Sequence, residues 1–197
     1  IAVILSAIHA LGPGSLPLPL GRERAGVRVG TARATLTPTL SHEWEREQPP
    51  LKAAPHHTVA DPRMQATLAR LDALFDAAYQ INHGRPAGRG AAMGRYAGDV
   101  YFSGGAYYFA TLGAAEFCFR AAALGSGDAG RWFERGDAYL ATVRAYTPAS
   151  GDLSEQFDQK SGAQTSAKHL AWSYAAFISC ASARRIAAAS LQAPNPR

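Results

Sequence analysis

An all-α fold is the class this sequence predicts, and three observations predict it. Apolar residues recur at spacings of three to four in separate stretches after residue 60, a clear helix-start signal opens the first of them, and no alternating strand pattern competes. With 197 residues, 47% apolar and 18% charged, the chain suits one domain or a large piece of one, and it has enough apolar material to argue against wholesale disorder. The net charge of +5 is modest and no block of five like charges occurs, which argues against nucleic acid as a partner. Two cysteines, Cys118 and Cys180, are too few for a disulfide scaffold or a zinc ribbon. Both fall inside helical patterns and are expected to be free, buried thiols, although spacing alone leaves a bridge open.

Taken in order, Ile1 to Leu11 (IAVILSAIHAL) is expected to be the end of a buried helix. It lacks the basic region of a signal peptide and is shorter than the roughly 20 apolar residues a bilayer span needs. No targeting signal is visible, so the compartment stays unassigned, and no membrane partner is expected. Gly12 to His57 reads differently. It carries seven of the twelve prolines and no helical period, which marks an insertion rather than a loop of a compact domain. Its wording, SLPLPLGRERAGVRV followed by TLTPTLSHEWERE, resembles the translated product of a bacterial intergenic palindromic repeat. A Pro-rich binding arm is the competing reading, weakened by the lack of a repeated P-x-x-P register.

The helices follow. Asp61-Pro62 supplies an N-cap and a proline at the first helical position, after which Met64, Leu68, Leu71, Phe75 and Tyr79 make one apolar stripe. A second helix is expected from about Ala106 to Leu124, apolar nearly all round and therefore buried on most sides. A third spans roughly Asp128 to Tyr146, with Trp132, Phe133, Tyr139, Leu140 and Val143. The last begins near Ser166 and continues past Arg185. Antiparallel neighbours joined in series put alternate connections at opposite ends of a stack. The short link at Gly125 to Gly127 therefore lies at one end, with the Pro-rich stretch. The long loops from Gln80 to Gly105 and from Thr147 to Thr165 share the other, which becomes the candidate functional end.

Two loops there could carry chemistry. Gly151 to Asp158 (GDLSEQFD) holds three carboxylates and an amide flanked by Leu153 and Phe157. That composition could make a partly desolvated acidic site suited to proton transfer, but taken alone it favours an exposed turn capped by Asp152 and Asp158. Gly94 to Tyr108 (GRYAGDVYFSGGAYY) combines an arginine, aromatic rings and glycines ahead of a helix. Those groups offer donors, stacking faces and close backbone approach to a sugar or an anion, or they simply cap the core. The upstream glycines do not match G-x-G-x-x-G, and the six histidines have no metal-ligand spacing; His56-His57 reads as solvated.

GRYAGDVYFSGGAYYFATLGAAEF and LSEQFDQKSGAQTSAKHLAWSYAAF, with VILSAIHA and VADPRMQATLARLDALF in the same order, resemble the C-terminal part of the glucoamylases, glycoside hydrolase family 15. The resemblance implies part of an (α/α)6 barrel, an incomplete six-hairpin toroid. Residues 1–11 would be a helix remnant, 12–57 an insertion, 58–190 the C-terminal part of the barrel and 191–197 a tail. It also implies an exo-acting, inverting α-glucosidase acting on starch, maltodextrin or a related α-glucan, without metal or organic cofactor. Inversion uses a general acid and a general base with carboxyls about 6.5–9.5 Å apart. The S-E-Q motif places the base at Glu155. The G-R-Y loop places Arg95 on sugar hydroxyls and Tyr101 in the pocket wall, while spacing suggests that Asp99 orients Arg95. Trp172 is expected to pack rather than to touch substrate.

The chain also departs from the family. Ala97-Gly98 stands where Pro-Glu is frequent, and Ser103 and Tyr107 stand near positions where fungal members have Asn and Trp. The family's general acid belongs to a Trp-Glu-Glu-type motif that does not occur in these 197 residues. The expectation is therefore a fragment with the base present and the acid missing, inactive alone. A trehalase or dextran glucosidase of the same barrel, or a non-catalytic remnant, is the alternative.

Overall fold

The computed structural model describes residues 57–193. The expectations for Ile1 to Leu11, for the Pro-rich stretch through His56 and for residues 194–197 lie outside the described residues. His57, at the boundary, is exposed.

Four helices carry the fold. α1 is Pro62–Ala78, capped as expected by the Asp61 carboxylate accepting from the Arg63 amide, and it buries Met64, Leu68 and Phe75. α2 is Tyr108–Ala123, α3 is Ala129–Ala145 and α4 is Ala171–Gln192. Because α2 is apolar nearly all round, it can only sit inside: every residue from Tyr108 to Phe119 except Phe109 is fully or almost fully buried. It packs along both α3 and α4, which themselves meet only marginally. Gly136 of α3 makes the α2 contact possible, since a Cβ there would lie 2.5 Å from the Phe119 ring. One ion pair bridges α3 and α4 directly, with Arg184 donating to both Asp137 oxygens at 2.6 and 2.9 Å. Cys118 and Cys180 are both buried and free.

The two ends of the stack are set by contacts of α1. Near its start, Gln65 Nε2 donates to Ser126 Oγ in the short turn (3.0 Å). Past its finish, the Tyr79 hydroxyl donates to the Gly105 carbonyl in the long loop (3.1 Å). Asn82, in a single 3₁₀ turn at Gln80–Asn82, is buried and satisfies three backbone groups: it donates to Phe75 and Ala92 carbonyls and accepts from the Ala92 amide. Residues 90–93 then cross α3 and α2, with the Gly90 amide on the Ala138 carbonyl and the Met93 amide on Thr111 Oγ1.

The structure differs from the sequence reading in two places. A small antiparallel sheet, order β1-β2-β3, joins Ala106–Tyr107, Gln156–Phe157 and Gln164–Thr165. The expected start of the second helix is thus a strand, because Ala106 and Tyr107 pair with Phe157 and Gln156 before the chain turns helical. The last helix begins five residues later than expected. Ser166 (φ 66°) and His169 (φ 53°) adopt left-handed backbone, which no helix accommodates, so 166–170 is a turn. The assembly is a mainly helical, incomplete (α/α)6 barrel.

Candidate functional site

Both long loops converge at the sheet. β2 belongs to the loop after α3, and β1 follows directly on the loop after α1. Their register makes Tyr107 and Gln156 cross-strand partners, so the two side chains stand on one face within reach of each other.

Arg95, Asp99 and Tyr101 form the first arm. Arg95 donates to both Asp99 carboxylate oxygens, Nε at 2.8 Å and a terminal nitrogen at 2.9 Å, a bidentate pair in which the aspartate side chain is buried and the arginine about one-third exposed. The Tyr101 amide adds a third bond to that carboxylate (3.0 Å). Arg95 and these donors hold the Asp99 pKa down at about 2, with Arg95 the largest cause and burial opposing. The Arg95 guanidinium also lies 4.8 Å from the Tyr107 ring centre, 5.2 Å from Tyr101 and 5.4 Å from Tyr96. Tyr101 is 46% exposed, so one side of this aromatic collar faces solvent. Gly104 lets the loop close on itself: its φ is +61°, and a Cβ there would lie 2.0 Å from the Asp99 carbonyl oxygen.

Glu155 heads the second arm. Leu153 to Phe157 are all buried, which overturns the exposed-turn reading for this part of the loop. The turn reading holds at Asp158, whose Oδ1 accepts from the Lys160 and Ser161 amides. The Glu155 amide donates to the Ala167 carbonyl (2.8 Å), and its carbonyl accepts from the Tyr108 amide. Its carboxylate accepts a short hydrogen bond from the hydroxyl of Ser166, one of the residues with positive φ. Ser173 of α4 anchors the loop from beneath, donating to the Ser154 carbonyl at 2.8 Å.

The structure brings Glu155, Arg95, Asp99 and Tyr101 to one end of the helical stack, but Arg95 and Glu155 share no direct bond. They are joined through the Tyr107 hydroxyl, which donates to Asp99 Oδ2 (3.2 Å) and accepts from Gln156 Nε2 (3.0 Å). Ser103 Oγ closes the far side of the Gln156 amide at 3.4 Å. Burial, reinforced by the Asp99 charge, raises the Tyr107 pKa well above that of an ordinary phenol, so the hydroxyl keeps its proton.

Sequence reasoning did not give Tyr107, Ser103 or Ser166 these contacts. A hydroxyl's partner is set by the fold and leaves no spacing signal. Trp172 packs on Phe109 (ring centres 5.2 Å apart) yet stays 50% exposed, so packing is only half of its environment. A groove of about 1300 Å³ lies between α3 and α4 and reaches Gly151 and Leu153 of the same loop. Among the described residues no group of three or more His, Cys, Asp or Glu could hold a metal ion, and no helix is long and apolar enough to cross a membrane.

Comparison with known proteins places these loops in context. The family model described as "Glycosyl hydrolases family 15" matches residues 31–133 and 132–182, a match that begins inside the Pro-rich stretch. A glucoamylase of Neurospora crassa is 37% identical over 139 residues, covering 53% of this chain and 22% of that protein. Glucoamylase P of Amorphotheca resinae is 36% identical over 143 residues, covering 54% and 23%. Among solved structures, the glucoamylase of Hormoconis resinae superimposes with a TM-score of 0.63 at 31% identity, covering 73% of this chain and 32% of that one. The glucoamylase of Hypocrea jecorina gives 0.58 at 27% identity, covering 71% and 30%. The chain thus spans under a quarter of the length of these two sequence relatives.

Proposed function

The chain belongs to glycosyl hydrolase family 15, and from that premise we propose that it is part of an inverting, exo-acting α-glucosidase of the glucoamylase kind, with Glu155 as the general base. The substrate is the non-reducing end of an α-1,4-glucan such as starch or maltodextrin, with α-1,6 bonds cleaved as well. The observation that carries this reading is the pairing of a buried, hydroxyl-bonded carboxylate with a one-third-exposed, carboxylate-braced arginine at one end of the helical stack.

Each group has a role that follows from its surroundings. Glu155 takes a proton from the water that attacks the anomeric carbon, and the Ser166 hydroxyl fixes which carboxylate oxygen remains to receive it. Arg95 donates to sugar hydroxyls with the three N–H groups that Asp99 does not engage, because two of its five donors are committed to the brace. Tyr101, half exposed beside that guanidinium, offers a ring face to the sugar. The proton for the leaving oxygen must come from a second carboxylic acid, which the family resemblance places in a Trp-Glu-Glu-type motif that these 197 residues do not contain. The purified chain is therefore expected to release no glucose from maltose above background.

A chimera tests the assignment. Joining residues 58–193 to the upstream part of the Neurospora crassa glucoamylase should yield an enzyme that releases β-glucose from maltose, read by polarimetry or NMR. Glu155→Gln should lower its kcat by roughly 10²–10⁴-fold. Equal rates for chimera and variant would remove Glu155 from the role. A preference for trehalose over maltose would favour the trehalase alternative.

A further inference from the structure

We propose that the Tyr107 hydroxyl is a positioning group that makes the arginine arm and the carboxylate loop one mechanical unit, an inference that rests on the function proposed above. The two arms come from loops far apart in sequence, and among the described residues the Arg95–Asp99 pair and the Gln156 amide meet at this one oxygen. Tyr107 is completely buried, donates to Asp99 Oδ2 and accepts from Gln156 Nε2. A phenol can do both at once, whereas an indole N–H can only donate and a phenyl ring can do neither. Gln156 is fixed in turn by Ser103, and it is the residue next to Glu155.

The consequence is directional. Asp99 without the phenol keeps Arg95 and the Tyr101 amide, so the arginine arm survives loss of the hydroxyl in part. The Gln156 amide loses its acceptor outright, and a buried amide with no acceptor turns or draws in water. A sugar seated on Arg95 is then no longer held against a fixed carboxylate loop.

The test uses the full 197-residue chain as wild type, Tyr107→Phe and Tyr107→Trp, first checked for equal helicity by circular dichroism. The readouts are proton exchange of the Gln156 side-chain amide and of Arg95 Nε–H by NMR, and the affinity for the monosaccharide mimic 1-deoxynojirimycin by calorimetry. Tyr107→Phe should speed exchange of the Gln156 amide by roughly fivefold or more, with a smaller change at Arg95. Tyr107→Trp should keep Arg95 protected and leave Gln156 exposed to exchange. Where the wild type binds deoxynojirimycin, Tyr107→Phe should weaken binding by about fivefold, an effect that loss of ring packing would not give because the ring is retained. Unchanged Gln156 exchange in Tyr107→Phe would overturn the inference. If Tyr107→Phe does not fold, protection of both groups or of neither in Tyr107→Trp would overturn it. A wild type with the expected exchange pattern and no affinity for deoxynojirimycin would instead count against the proposed function.

Discussion

Asp99 shows how much one side chain settles. Its folded pKa of about 2 lies below the roughly 3.9 of an unfolded aspartate, so the folded state binds this proton more weakly. The resulting stabilisation is present above pH 4 and is lost as pH falls toward 2. Asp99→Asn should therefore lower the melting temperature at pH 7, with the gap to wild type closing in melts taken between pH 4 and pH 2. A gap that is constant with pH would mean that the carboxylate charge is not what braces the loop. Arg95 and Asp99 were legible in the sequence because opposite charges four residues apart in a glycine-rich turn can reach each other. Tyr107 was not legible as a bridge, because nothing in an aromatic pair ahead of a helix says which hydroxyl will find partners.

Among elements, the helices were readable and the strands were not. The stripe from Met64 to Tyr79 spans several turns, long enough for a 3.6-residue period to show. β1, β2 and β3 hold two residues each, too few for alternation to appear. The late start of α4 was hidden for a related reason: Ser166 and His169 leave the right-handed region where local propensity alone would have continued the helix. Two hydrogen bonds join α4 to the carboxylate loop: the Leu153 amide donates to the Tyr174 hydroxyl, and the fully buried Ser173 hydroxyl donates to the Ser154 carbonyl. Ser173→Ala strands that carbonyl and should cost about 1–3 kcal/mol in urea unfolding. It should also raise amide exchange at Glu155 more than within α1. Uniform destabilisation across the chain would show that the bond serves packing rather than the loop.

At the level of the whole molecule, α2 forms the axis of the core, and α4 covers it on one side while turning much apolar surface outward. Trp172, Phe177, Ile178, Ile186 and Leu191 are each at least 40% exposed. An incomplete (α/α)6 barrel leaves such a face where further helices would pack. The purified chain should bind anilinonaphthalene sulfonate, and Ile178→Lys with Ile186→Lys should cut the fluorescence at least about twofold with helicity unchanged. On its inner side α4 buries Cys180, and α2 buries Cys118, completely. Burial pushes the Cys118 thiol up to about 12, above the roughly 8.5 of an exposed thiol. Its contribution to stability is thus complete below pH 8.5 and declines as pH rises toward 12. Ellman's reagent at pH 8 should label neither cysteine until denaturant is added, and stoichiometric labelling of the native chain would contradict the packing of α2 against α4.

The link between Tyr107 and Gln156 closes a span of 49 residues. Everything between them, two helices and their turn, must come together before that contact can exist, since ring closure over such a length is entropically opposed until the enclosed hairpin holds its own ends near each other. The meeting of the two arms is consequently acquired after the scaffold, and a protease cut within that span would leave every one of these side chains present while removing the covalent tether that keeps them near one another.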